Sequence, residues 1–142
     1  MTDLEILRGI AFSCLNVPYI WGGQNPLEGM DCSGFCLHLL KSLGLWKDGD
    51  TTAQGIYNFL SKKANRVEPQ EGAFLFFGKS SFEIMHIAYA IDDKRMIEAH
   101  GDRTCLNVDL AKVWRNHEGA FIRVSPINKR IDLVAALKWP FL

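Results

Sequence analysis

The feature that most constrains this chain is a change of hydrophobic period partway along it. Up to about residue 60, apolar side chains recur at three- and four-residue intervals, the spacing of helix faces. Leu4, Leu7, Ile10, Ala11, Cys14 and Leu15 line one side of a helix predicted over residues 3–15, opened by a Thr2/Glu5 capping box. Phe35, Cys36, Leu39, Leu40 and Leu43 share a side of a second helix, which starts near Cys32 behind Asp31 as N-cap and stops at Gly44. Ile56, Phe59 and Leu60 face inward on a third, shorter helix after Thr51 or Thr52. Beyond Pro69 and Gly72 the pattern shortens. Ala73-Phe74-Leu75-Phe76-Phe77 predicts a buried strand, and residues 86–91 and 96–100 predict a hairpin around Asp92-Asp93-Lys94-Arg95. Residues 106–108 and 121–124 are further strand candidates. Residues 131–138 predict a closing helix that Pro140 ends. Helices followed by an antiparallel run of strands specify an α+β fold.

At 142 residues the chain is expected to form one domain over residues 1–142, with a core over about 4–126 and a C-terminal extension over about 127–142. Sixteen basic residues balance sixteen acidic ones, which excludes nucleic-acid binding through a broad basic face. No apolar run reaches the roughly 18 residues of a membrane span. The start, Met1-Thr2-Asp3-Leu4-Glu5, lacks the basic region of a signal peptide. The expectation is a chain that is cytoplasmic as synthesised, with reduced thiols at Cys14, Cys32, Cys36 and Cys105. Cys32 and Cys36 are four apart with no second pair, so neither a metal nor another cofactor is expected.

The chemistry gathers at Asp31-Cys32-Ser33-Gly34-Phe35. A cysteine in the first turn of a helix meets unpaired N–H groups and the positive end of the dipole, which favour thiolate over thiol. Ser33 and Gly34 are small enough to let a substrate approach. A thiol nucleophile needs a base. His38 lies within the second helix, too far round to face Cys32, and His117 sits in a polar stretch. His86 opens a predicted strand and shares its face with Ala88 and Ala90. Glu98 and His100 share a face of the next strand. A hairpin loop with an odd number of residues, such as Asp92-Asp93-Lys94, puts them on the side of His86; an even loop puts them opposite. A carboxylate or imidazole there would fix the tautomer of His86 and stabilise its imidazolium.

Taken together these residues resemble the NlpC/P60 family of cysteine peptidases. Pro18-Tyr19-Ile20-Trp21-Gly22-Gly23, then Asp31-Cys32-Ser33-Gly34-Phe35, is similar to its P-Y-x-W-G-G loop and D-C-S-G-[FL] block. Residues 70–77 resemble its P-G-D-L-V-F-F strand. His86 to Ile91 and Met96 to Ala99 resemble its H-V-G-I-Y hairpin, and the likeness runs from about Ile6 to Val124. Gly72-Ala73 departs from the usual G-D, and Ala88 replaces the common glycine.

The resemblance implies a papain-like core in which the nucleophile helix packs on an antiparallel sheet. It implies cleavage of peptidoglycan stem peptides between γ-D-glutamate and a diamino acid. Residue by residue, it makes Cys32 the nucleophile, His86 the general base and Glu98 the third residue, with His100 as the alternative. Tyr19, Asp31 and Ser33 match positions that line the substrate site. A wall hydrolase without an export signal implies delivery through a phage tail or a secretion system, or action on recycled stem fragments. Two other classes stay open: another cysteine acyl-transfer enzyme (deamidase, transamidase or acyltransferase), and a non-catalytic phage-type structural protein that has kept the fold.

Overall fold

The computed structural model describes residues 1–100 and 120–142. Three helices lie along one face of an antiparallel sheet. Helix α1 (Asp3–Ser13) begins with the expected capping box, Thr2 Oγ1 accepting from the Glu5 N–H while Glu5 accepts from the Thr2 N–H. It ends two residues before the predicted stop. Helix α2 (Cys32–Ser42) is capped by Asp31. At its other end Gly44, at φ +72°, lets the Leu45 N–H reach the Leu40 carbonyl and its own N–H reach Lys41, closing the orphan carbonyls. Helix α3 (Ala53–Leu60) starts at Thr52.

The loop read between residues 18 and 30 carries a two-residue ladder, β1 (Gln24–Asn25) on β2 (Gly29–Met30). The main sheet takes β3 (Asn65–Val67), β4 (Phe74–Gly78), β5 (Ile84–Ala90), β6 (Arg95–Glu98), β7 (Arg123–Pro126) and β8 (Leu133–Lys138). Their order is β3-β8-β4-β5-β6-β7, and every neighbouring pair is antiparallel. The strands expected at 73–77, 86–91, 96–100 and 121–124 each appear, shifted by one or two residues. Strand β3 was not expected, and the candidate at 106–108 lies outside the described residues.

One expectation fails outright. Residues 131–138 do not form a closing helix: Leu133–Lys138 is a strand between β3 and β4, inside the sheet. Leu, Ala and Lys favour helix in isolation, but propensity yields to two strand edges that both need partners. Ala135 and Leu137 reach the helix-side core while Ala136 reaches the other face. Of the expected extension, residues 133–138 are part of the sheet itself.

Period-two alternation gives the sheet two buried faces. Phe74, Phe76, Ile87, Tyr89 and Ile97 join Leu7, Phe35, Leu39 and Ile56 under the helices. Leu75, Phe77, Ala88, Ala90, Met96 and Ala136 form a smaller cluster on the opposite face, covered by Ile127. Ile127 belongs to a short 3-10 turn, Ile127–Lys129, between β7 and β8. At the strand start, Gln54 of α3 clamps β5: its Oε1 accepts from the Ile84 N–H at 2.8 Å and its Nε2 donates to the Ser81 carbonyl at 2.8 Å.

Candidate active site

The loop of residues 18–31 sets Cys32 in place. Gly22 sits at φ +77°, and its N–H donates to Asp31 Oδ2 at 3.0 Å. Asp31 Oδ1 accepts from the Gly34 N–H at 2.7 Å and from Ser33 Oγ at 3.1 Å. One carboxylate thus caps α2 and ties the glycine loop to it. The fit is tight: a Cβ on Gly34 would stand 2.0 Å from the Gly23 carbonyl oxygen. That close approach is the physical reason for Gly34; Gly22 serves its positive φ, and a Cβ on Gly23 would stand 2.5 Å from the Gly29 carbonyl oxygen. Asp31 and Ser33, expected to line the substrate site, both spend polar atoms on the cap. Tyr19 is buried beside them, its backbone bridged to Met30 and its N–H bonded to the Ala120 carbonyl at 2.8 Å.

Cys32 opens α2 against the start of β5. Its sulfur accepts from the Ile87 N–H, one residue along from His86. The helix start favours the thiolate, but the surroundings of Cys32, which stays partly exposed, oppose it. Burial first, and the Asp31 carboxylate second, push the thiol up to about 11, and the N–H groups of Ile87, Ser33 and Cys32 itself offset only part of this. The direction of these effects favours the thiol form. Cys36 and Cys14 are core residues, both pushed up by burial. Cys105 and His117 lie outside the described residues.

The hairpin between β5 and β6 settles the side on which Glu98 falls. Tyr89 pairs with Ile97 and Ala90 with Met96, and the Ile91 N–H donates to the Arg95 carbonyl. Asp92-Asp93-Lys94 is therefore the turn, an odd count. His86 and Glu98 share a face, and His86 Nε2 stands 2.9 Å from Glu98 Oε1. The ring of His100 meets that of His86 edge-on at 4.9 Å, and Phe77 lies 5.7 Å away on the neighbouring strand. His38 is half-buried within α2, as the helix reading required.

Burial holds the imidazole of His86 down to about 4, against the hydrogen bond and charge of Glu98; His100 and Arg130 add to the lowering. Burial pushes the Glu98 carboxyl up, but His86, then Lys129 and Ser125, outweigh it and hold it well below the usual carboxylate range. An ionised carboxylate only accepts, so Nε2 carries the proton and a neutral His86 keeps its lone pair on Nδ1. Lys129, in the 3-10 turn, donates to Glu98 Oε2. Lys129 belongs to no sequence motif; the pairing of β7 with β6 brings the turn that follows β7 back beside Glu98. Among the described residues no cluster of three His, Cys, Asp or Glu side chains could hold a metal, and no helix is long and apolar enough to cross a membrane.

A cysteine-led helix docked on an antiparallel sheet that carries a buried His–Glu pair defines a class of papain-like α+β domains. Residues 16–123 match the NlpC/P60 family, and the chain belongs to it. It is 30% identical over 110 residues to the bifunctional muramidase/DL-endopeptidase CwlT of Bacillus subtilis, covering 75% of this chain and 32% of that protein. It is 34% identical over 100 residues to a gamma-D-glutamyl-L-lysine dipeptidyl-peptidase of Bacillus cereus, covering 68% of this chain and 28% of that one. The chain thus spans about a third or less of either relative. Its fold is similar to the NlpC/p60 domain of the peptidoglycan hydrolase SagA, with TM-score 0.68 and 22% identity over 95% of this chain and 97% of that one.

Proposed function

We propose that this domain is a cysteine peptidase that cleaves peptidoglycan stem peptides at the γ-D-glutamyl–diamino acid amide. The observation that carries the reading is the buried contact of 2.9 Å between His86 Nε2 and Glu98 Oε1, on the strand whose Ile87 N–H holds the Cys32 sulfur. Family membership and the names of its relatives, a DL-endopeptidase and a gamma-D-glutamyl-L-lysine dipeptidyl-peptidase, support the substrate class.

Their surroundings favour the neutral forms of Cys32 and His86, and in this reading proton transfer accompanies attack. His86 Nδ1 takes the Cys32 proton as the sulfur bonds to the scissile carbonyl carbon. The Cys32 N–H, at the open end of α2, donates to the developing oxyanion. The imidazolium gives its proton to the departing amine nitrogen as the C–N bond breaks, leaving a thioester. His86 then deprotonates water, which attacks the thioester and releases the acid, and Cys32 recovers its proton. Glu98 holds the Nε2–H tautomer and stabilises the transient imidazolium.

The test is mass spectrometry of tri- and tetrapeptide stems containing diaminopimelate or lysine, free and within intact peptidoglycan, with wild type and Cys32→Ala. A Cys32-dependent cut after γ-D-glutamate is expected, and its yield on free against intact substrate tells recycled fragments from the wall. No cut on any stem, with Cys32 still alkylated, would give the site to a different acyl substrate. No cut and no alkylation would overturn the enzymatic reading.

A further inference from the structure

Glu98 is completely buried and uses both its oxygens: Oε1 meets His86 Nε2 at 2.9 Å, and Oε2 accepts from the ammonium of Lys129. Arg123 Nε stands 3.8 Å from Oε2. The Ser125 hydroxyl lies 3.3 Å from Lys129 Nζ and 3.3 Å from Arg123 Nε, between the two cations. Lys129 lies beyond residues 16–123, the part that matches the family. We propose that Lys129 is a positioning residue for the peptidase reaction inferred above: its ammonium keeps Glu98 ionised and aimed at Nε2, so that His86 remains a neutral base.

A buried carboxylate without a counter-charge takes up a proton or draws one onto its neighbour. The neighbour is His86. An imidazolium at rest has no lone pair for the Cys32 proton. Lys129 supplies the positive charge from the far side of the carboxylate and removes that demand. The other charged and titratable groups do not replace it. Arg123, on β7, is farther away and 41% exposed. Arg130 faces His86 but is paired with Asp132 at 2.6 Å and stacked on Phe77 at 4.8 Å. Among the described residues His100, on the chain leaving β6, meets His86 edge-on, Asp132 faces it as well as Arg130, and the Cys32 sulfur is bonded to the neighbouring Ile87 N–H.

The experiment is an NMR titration of the His86 imidazole, without substrate, in wild type, K129M, K129R and the double variant E98Q/K129M; H86Q identifies the signal. Wild-type His86 is expected to stay neutral below about pH 5. K129M should raise its midpoint by about 1–3 units. The acid limb of kcat/KM should move with it, at unchanged KM. K129R should restore both, and E98Q/K129M should bring the midpoint back down. A folded K129M with an unshifted midpoint overturns the proposal, since a lysine that only braces the turn would lower Tm alone. A wild-type midpoint at or above the ordinary value of about 6.5 also overturns it, and needs no variant to fold. The shift without any stem-peptide cleavage would sink the enzymatic reading alone; cleavage without the shift would sink only the role of Lys129.

Discussion

His86 and Glu98 are twelve positions apart in the chain, yet Nε2 and Oε1 meet at 2.9 Å with both side chains buried. The three-residue turn at Asp92-Asp93-Lys94 produces that meeting. If the contact orients the base, E98Q should lower kcat by roughly 10²–10⁴-fold, because an amide NH₂ can turn the imidazole to the wrong tautomer. H100A should stay within about threefold of wild type, since Glu98 takes Nε2 of His86 while the His100 ring meets it edge-on at 4.9 Å. Steady-state kinetics on one stem peptide decide it: a silent E98Q with a crippled H100A would move the third role to His100.

Removing either reacting group should end turnover. C32A and H86A are each expected to lower kcat/KM by at least about 10³-fold. The resting state can be read separately, through iodoacetamide alkylation of Cys32 against pH. A thiol held up to about 11 should alkylate faster as pH rises through the alkaline range. A plateau reached already below neutral pH would mean a preformed thiolate–imidazolium pair instead.

Acid should destabilise the fold in two stages. Unfolded, His86 titrates near 6.5 and Glu98 near 4.5, and the native state holds both lower. In the gap the unfolded chain binds protons that the native chain refuses, so stability falls as pH falls. The His86 contribution is lost between about pH 6.5 and about 4, on the order of 3 kcal/mol. Glu98 adds its loss below about pH 4.5. Urea midpoints at pH 7, 5.5 and 4 should descend in wild type and descend less in H86Q over the upper interval.

Gly34 tests the close approach of loop to helix. In G34A the new Cβ meets backbone, the Gly23 carbonyl oxygen, at 2.0 Å. The loop has to lift, which strains the Asp31 cap; a loss of about 1–3 kcal/mol and slower turnover are expected. G9A is the matched control, because nothing lies within 4 Å of its Cβ in α1. It should be neutral or stabilise by about 0.5–1 kcal/mol. Equal Tm values for the two variants would refute the crowding argument.

Ala136 tests the placement of β8. It pairs with Val67 on one side and Leu75 on the other. A136P removes a ladder donor from a strand with neighbours on both edges, so cooperative unfolding should vanish from calorimetry. A136P with a wild-type transition would mean that residues 133–138 are an appendage after all.

Much of the helical half was legible because its signals are local. Thr2 with Glu5, Asp31 before Cys32, and Gly44 at the stop each act within one turn of their own helix. The placement of Cys32 and His86 was legible through the same short motifs. The side on which Glu98 falls hung on turn parity, which Asp92-Asp93-Lys94-Arg95 leaves ambiguous until the Ile91–Arg95 bond is seen. Strand β8 was misread because Leu133-Val134-Ala135-Ala136-Leu137-Lys138 has no β-branched run, and what makes it a strand is β3 and β4, far away in sequence. Long-range charge was equally hidden: Lys129 reaches Glu98 across 31 positions.

The central place of β8 also bears on how the domain is born. A ribosome emits β3 and β4 some sixty residues before the strand that must slot between them. Throughout that interval β3 has no hydrogen-bonding partner in the sheet, and β4 shows an open edge flanked by phenylalanines. Lys129 is likewise made only just ahead of β8, so Glu98 waits for its counter-charge until synthesis has nearly passed the whole region. The nascent chain thus carries Cys32 early, while the sheet around the His86–Glu98 pair closes only after β8 has been made.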